Sequence, residues 1–372
     1  MGADAGGALD GVLVLDLSRM LPGAVLVRQL VDLGARVVKV EDPVTGDVLR
    51  LVPPLTGEVG AGFAAFFRGV ESVALDLRQA DGAAAIRRLA RRADVLIESY
   101  RPGVMARWGL GAEELREANP SLVVCSIPGY DPDGPCAAEV GHDLNFVARS
   151  GLLEQLGSAG AVPMVQLADF TAGLLAVSAV LAALLERGRT GEGAVITIPL
   201  ARAPLPWLTW AVANDDAGDT GIVRSLLGGG VPCYRVYTCG DGRRVALGAL
   251  EPKFWAGFVA LLGLDHLAGT GLDPGEAGAA AAEEVARALA SAPAERWAAR
   301  AREAGLPLTV VATLEEALTD PCVTAERETV RCPGGVELRI PGPWLPVRPP
   351  GPRRVPALGQ HTDEVLREAE AR

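Results

Sequence analysis

GVLVLDLSRMLPGAVLVRQLVDLGARVVKVE, residues 11–41, holds two apolar runs around a helical pattern. Gly11 to Leu17 is short and continuous, as a buried strand requires. Pro22 to Leu33 carries Val25, Leu26, Leu30 and Leu33 at helical spacing, and Gly34 is a natural C-terminal stop. Val37 to Glu41 reads as a second buried strand. Two strands joined by a helix run parallel, so this stretch opens a parallel sheet. Glu41 stands where a ribose-binding acid follows the second strand of a dinucleotide fold. The turn Ser18-Arg19-Met20-Leu21-Pro22-Gly23 nevertheless lacks the glycine spacing that admits a pyrophosphate, and no nicotinamide site is expected.

The alternation continues outward. Val73 to Leu77, Val95 to Glu98, Leu122 to Ser126 and Gly193 to Leu200 read as strands. Ala83 to Ala93 reads as a helix with Ile86, Leu89, Ala90 and Ala93 on one face. The expected fold class is α/β, a Rossmann-like, doubly wound parallel-sheet large domain plus a smaller α+β domain. The large domain is expected over 1–200, a Pro- and Trp-bearing linker over 201–224, the small domain over 225–328, and a return arm with the C-terminal part of the large domain over 329–372. In the small domain, Tyr234 to Thr238 and Arg243 to Ala249 flank Gly240-Asp241-Gly242, a hairpin signal. Helical patterns follow at Ala277 to Ser291 and Ala294 to Gly305. Pro341 to Pro356 is rich in proline, which suggests an extended arm, and Leu358 to Glu370 reads as a closing helix.

Composition narrows the function. A chain of 372 residues, 49% apolar and 22% charged, is globular and long enough for two domains. Its net charge of -11 leaves no basic stripe for nucleic acid, so an anionic ligand needs a local arginine cluster. Lys39 and Lys253 are the only lysines, which makes a Schiff-base mechanism a poor candidate. The six cysteines show no C-x-x-C pair and match neither a zinc site nor a disulfide framework; reduced thiols in a cytoplasmic protein are expected, with no metal. Phe170 to Leu185 is apolar but interrupted by Ser178 and short of the ~20 residues of a membrane span, so it reads as a buried helix. No signal-peptide pattern opens the chain, and no membrane partner is expected.

In open parallel sheets ligands bind beyond the carboxyl ends of the strands. Ser99-Tyr100-Arg101 follows one expected strand, and Pro128 to Phe146 follows the next. Within that second passage Gly141-His142-Asp143-Leu144-Asn145-Phe146 sets one of three histidines at an expected helix start. Asp169 precedes the apolar helix Thr171 to Leu185, and Glu251 precedes Pro252; each can be a simple helix cap. His142 and Asp169 can also form an acid–base pair. A carboxylate on the rim of an apolar helix has its charged form disfavoured, which brings its pKa toward that of histidine. Two such groups facing opposite sides of one acidic carbon, such as that beside a thioester carbonyl, invert it. The enolate needs donors, and the backbone N–H groups where the helix begins near Asp143 supply them, with Gly141 permitting close approach. Arg101 and Arg107 bring the positive charge that a phosphorylated carrier requires.

Several segments resemble the class III coenzyme A transferase superfamily. They are Leu96 to Gly103, Trp108 to Gly111, Asn119-Pro120, Gly141 to Phe146, Gly248 to Trp255 and the tail Leu358-Gly359-Gln360-His361-Thr362. The Gly-His-Asp segment with the Glu-Pro element is closest to the α-methylacyl-CoA racemase branch. The resemblance implies that His142 and Asp169 are the two bases, that Glu251 bonds to His142 and sets its tautomer, and that the Asp143 N–H is an oxyanion donor. It implies that Gly141, Leu144, Asn145 and Phe146 hold the thioester oxygen, while Leu75, Asp76, Leu77, Arg78, Ser99, Tyr100, Arg101 and Arg107 line a CoA groove. It further implies an interlaced homodimer, and no cofactor beyond the CoA of the substrate. Asp42, Val70 and Glu71 depart from positions that are usually basic, which shifts phosphate binding toward Arg68 and Arg78 or weakens it. Leu205, Trp207, Leu208 and Trp210 stand where an acyl surface is usually methionine-rich; core or dimer interface is the other reading.

Three functions are therefore open. The first is a racemase or epimerase of 2-methylacyl-CoA thioesters working by 1,1-proton transfer. The second is a CoA transferase with Asp169 as the acyl-accepting nucleophile, in which His142 is dispensable. The third is a non-catalytic acyl-CoA-binding protein.

Overall fold

The structure is a computed structural model and describes residues 7–157, 161–218, 221–323, 327–345 and 353–371. The chain forms two units, Met1–Trp207 with Ala325–Arg372, and Leu208–Thr324. The larger unit is built on six parallel strands: β1 (Leu13–Asp16), β2 (Arg36–Glu41), β3 (Glu71–Ala74), β4 (Val95–Glu98), β5 (Val123–Ser126) and β6 (Val195–Thr197). Their order is β3-β2-β1-β4-β5-β6. Val14 pairs with Val37 on one side and Val95 on the other, so β1 is central and its apolar run is buried on both faces. The order reverses between β1 and β4. The loops leaving those two strands consequently diverge and open a crevice at their carboxyl ends.

Helix α1 (Met20–Asp32) joins β1 to β2, and α2 (Ala80–Ala90) lies between β3 and β4. After β5 come the short α3 (Asp143–Arg149) and the long α4 (Leu167–Thr190), which precedes β6. Both α1 and α4 return from the carboxyl to the amino edge of the sheet, so both begin at the carboxyl edge. They pack closely because residue 173 is glycine: a Cβ there would lie 2.6 Å from the Val25 side chain and 2.8 Å from the Pro22 carbonyl. The helix expected over Thr171 to Leu185 is longer at both ends, and it ends at Gly191 in the left-handed conformation. By length and composition α4 could cross a membrane, yet it is buried on one face only, through Ala168, Ala172, Gly173, Ala176, Val180 and Ala183.

The 201–224 passage, expected as a linker, contains helix α5 (Leu205–Asp216). Its proline, Pro206, falls in the first turn, where a missing N–H costs nothing, so it starts a helix instead of breaking one. In the smaller unit β7 (Tyr234–Thr238) and β8 (Arg244–Gly248) form the expected hairpin, and β9 (Leu308–Val310) pairs with β8. Helices α6 (Pro252–Leu262), α7 (Glu276–Leu289) and α8 (Ala294–Glu303) cover that sheet around Trp255, Phe258, Val285 and Trp297.

Residues 346–352 of the proline-rich arm expected over 341–356 lie outside the described residues. The chain end returns to the large unit. His361 N–H donates to the Ser72 carbonyl at 2.9 Å, and Ser72 N–H donates to His361 Nδ1 at 3.0 Å, so the tail lies along edge strand β3 before the final helix α9 (Thr362–Glu370). A buried ion cluster holds this return. Asp32 accepts from Arg28 at 3.2 Å and Arg68 at 2.5 Å, and also from Arg353; Glu328 pairs with Arg68 and lies 3.5 Å from Arg28. Arg68 is 0% exposed, which corrects the expectation that it serves a phosphate carrier. Its charge is spent on Asp32 and Glu328.

Candidate active site

A cleft lies at the carboxyl ends of β1 to β4, where the strand order reverses. Leu75, Asp76, Leu77, Arg78 and Tyr100, all expected there, line it. Ser18, Arg19 and Trp108 line it too, as do Val40, Glu41, Asp42, Gly46 and Asp47 at the end of β2 and after it. The turn after β1 is held from below. Lys39, fully buried, donates from Nζ to the Ser18 carbonyl at 2.5 Å and pairs with Asp16 and Asp47, each at 3.1 Å. Asp16 Oδ1 accepts from Ser18 N at 2.9 Å and Oγ at 2.5 Å. This fixed turn brings Met20 to φ +64°, an uncommon value for a side chain of its size, at the ligand-binding edge. Ser99 Oγ accepts from Arg19 N–H at 2.9 Å, which joins the loops of β1 and β4.

Other expected groove residues divide. Glu98, buried at the end of β4, accepts from Tyr100 N–H at 2.7 Å and from the Ser126 hydroxyl, so it sets the direction of the 99–101 segment. Arg101 and Arg107 are exposed and lie outside the cleft lining. Arg78 lies within it but is paired, with Asp76 at 2.7 Å and Asp42 at 3.6 Å. Asp42 also accepts from Val44 and Thr45 N–H, and Val70 is buried. Glu71 pairs with Arg36 at 2.8 Å. Glu41 is buried against Arg50 at 2.6 Å, which removes it from any ribose-binding role.

The second cluster follows β5. Helix α3 begins at Asp143, and His142 is its exposed N-terminal flanking residue. Asn145 Oδ1 accepts from His142 N–H at 3.0 Å, satisfying one of the free amino-terminal groups. The Asp143 and Leu144 N–H groups have no partner among the described residues, and Leu144 is exposed. Phe146 is buried edge-on to Tyr130, with centroids 5.4 Å apart. A Cβ on Gly141 would lie 3.0 Å from that ring, so the glycine is required first by Phe146.

Asp169 is not the cap of α4; it lies in the helix's first turn. The cap residue, Gln166, makes no side-chain bond to the helix start; Asp143 Oδ1 instead accepts from Asp169 N–H at 3.0 Å. A side chain from a distant segment thus satisfies the free donors of α4. Burial and then the neighbouring Asp143 charge push the Asp169 carboxyl up to about 7. Asp143 is itself raised by burial, offset by the N–H groups of Asp169, Ala168 and Leu167. Asp169 lies one turn before Gly173, which packs on Pro22 and Val25 of α1. Its helix start therefore adjoins the Arg19–Met20 turn of the cleft. Asp143 thus bonds the Asp169 amide, and His142 immediately precedes Asp143 at the start of α3. Sequence reasoning missed Lys39 and Arg19 as parts of the cleft; the one lysine kept in a strand of an arginine-biased chain was the available signal.

Glu251 lies in the smaller unit, exposed, at the start of α6, and its side chain makes no capping bond. Leu205, Trp207 and Trp210 are exposed, which separates them from the core reading; Leu208 is buried. No group of three or more metal-ligating side chains occurs among the described residues.

The chain is similar to known proteins over nearly its whole length. Residues 9–362 match the sequence profile of CoA-transferase family III. The human α-methylacyl-CoA racemase is 33% identical, over 97% of this chain and 93% of its own length. The mouse succinyl-CoA:glutarate CoA-transferase is 30% identical, over 97% of this chain and 86% of its own length. Among solved structures, a CaiB/BaiF family protein from Brucella suis superposes with a TM-score of 0.83 at 27% identity, covering 98% of this chain and all of that one (100%).

Proposed function

This chain belongs to CoA-transferase family III, and within that family we propose that it is a racemase or epimerase of 2-methylacyl-CoA thioesters. The observation that carries the reading is the Asp143–Asp169 pair beside His142. A carboxyl at about 7 is half protonated at neutrality, so it gives and takes protons with little cost in either direction. A nucleophile gains nothing from that protonation, because the neutral acid does not attack a carbonyl. One of the two bases removes the α-proton, the enolate oxygen is held by the Asp143 and Leu144 N–H groups at the start of α3, and the other base returns a proton to the opposite face. Gly141, Asn145 and Phe146 shape that turn. In this reading the chain needs no cofactor beyond the substrate's own CoA.

A homodimer is part of the proposal. The outer face of α4 leaves Leu174 and Leu185 exposed, Met164 nearby is 96% exposed, and Trp207 is exposed as well, which supports a covering partner. A second copy of this chain is that partner.

The second reading is a CoA transferase with Asp169 as nucleophile, favoured by the similar identity of the transferase relatives. The two are separated by incubating a chiral 2-methylacyl-CoA in heavy water. The racemase reading expects α-deuterium uptake with inversion, abolished by His142→Ala. Absence of exchange across a panel of acyl chains, with a borohydride-sensitive acyl adduct on Asp169, overturns it in favour of the transferase.

A further inference from the structure

We propose that Arg19, on the turn after β1, is the cation that anchors the phosphate-bearing end of the thioester carrier in the cleft. The proposal rests on the reading that the cleft takes a CoA thioester, and it assigns a role that the sequence resemblance gave to other arginines.

Two arginines line the cleft, Arg19 and Arg78. Arg78 is occupied: its Nε and Nη2 meet the two oxygens of Asp76 at 2.7 and 3.1 Å, with Asp42 at 3.6 Å. The deeper cations are occupied too, Lys39 by Asp16 and Asp47, Arg50 by Glu41. Arg19 forms no ion pair with a carboxylate among the described residues. Its guanidinium carbon lies 4.9 Å from the centre of the Tyr100 ring, which is itself braced edge-on by Trp108 at 5.0 Å.

The backbone beneath Arg19 is fixed on both sides. Its N–H donates to Ser99 Oγ, and the preceding Ser18 carbonyl is held by the buried Lys39 ammonium. Arg19 is exposed, as Arg101 and Arg107 are, but it lines the cleft and rests on the Tyr100 ring, whereas those two lie outside the lining. The position is the point of strand-order reversal, where doubly wound sheets bind ligands. A guanidinium donates two parallel N–H bonds to a phosphate, and the cleft's other charges are already neutralised.

The test is Arg19→Gln, an exposed substitution that leaves the Ser99 bond intact. Calorimetric titration of free CoA is expected to show affinity about 10- to 100-fold weaker, as for loss of a charge-assisted bond. In the exchange assay KM for 2-methylbutyryl-CoA rises by the same factor with kcat nearly constant. The matching pantetheine thioester, which lacks the phosphates, reacts equally with both proteins. Unchanged CoA affinity overturns the proposal, as does an equal loss with both carriers, which marks a merely structural role. If CoA binds the wild type and the variant loses it while no thioester exchanges, the anchor stands and the racemase reading fails. If CoA does not bind the wild type, both fail.

Discussion

Replacing Asp143 by Asn tests the coupling at the centre of the site. Asn keeps an oxygen that accepts from the Asp169 N–H, so that bond persists while one negative charge disappears. A carboxylate bonded to the amide of another aspartate lies about 6 Å from that residue's own carboxylate, worth about 2.8 kcal/mol at an effective dielectric constant of about 20. Partial exposure and salt reduce this to about 1.4 kcal/mol, or about one pH unit. Burial, the larger cause, remains, so Asp169 falls from about 7 to about 6 and no further. The sign differs with direction. Where Asp169 removes the α-proton it must be ionised, and the rate at pH 6 rises about fivefold. Where it donates the proton it must be neutral, and the rate at pH 8 falls about tenfold. The assay is the pH dependence of α-proton exchange, followed separately from each enantiomer. A uniform loss of rate with both limbs in place refutes the coupling, and so does a limb that moves to higher pH.

Other consequences follow from the same structure. Because the folded state raises Asp169 above its ordinary carboxylate value, its ionisation opposes folding, with no penalty below about pH 4 and the full penalty above about pH 7. Asp169→Asn should therefore be more stable than the wild type, with an advantage that grows by about 1–2 kcal/mol between pH 5 and pH 8 in denaturant titrations; a constant difference contradicts this. Asp32→Ala leaves Arg28, Arg68 and Arg353 buried without their shared carboxylate and should cost about 3–5 kcal/mol, whereas breaking the partly exposed Arg36–Glu71 pair by Glu71→Gln should cost under about 1 kcal/mol. Equal melting temperatures for the two variants disprove that contrast. Gly173→Ala places a Cβ within 2.6 Å of Val25, should cost about 1–3 kcal/mol, and should lower kcat more than it raises KM, since Asp169 lies one turn away; crystallography of the variant shows whether α4 has shifted from α1.

Much of the architecture was legible in local patterns. The runs 11–17 and 37–41 around a 3.6-residue period predicted β1, α1 and β2 to within two residues at each end, and Gly240-Asp241-Gly242 predicted the hairpin of the small unit. Boundaries failed where the deciding group came from elsewhere. Helix α4 starts four residues before the expected Thr171 because Asp143, 26 positions upstream of Asp169, accepts from its first turn. The Pro- and Trp-bearing passage at 201–224 reads as a linker, yet it contains a helix whose Pro206 falls in the first turn, where a missing N–H costs nothing.

The site shows the same division. Residue types and their order determined that His142 begins a helix beyond a strand and that an aspartate waits at the next helix, because helix starts and strand ends leave short-range signals. Only the tertiary structure decided what those groups are worth. The tertiary fold half-buries Asp169 and brings Asp143 to it, and both raise its pKa. Neutralisation by Asp76, Asp32 and Glu328 silences Arg78 and Arg68, and leaves Arg19 as the cleft's unpaired cation among the described residues. Charge and pKa depend on what lies within a few ångströms in space, and sequence order does not record that distance.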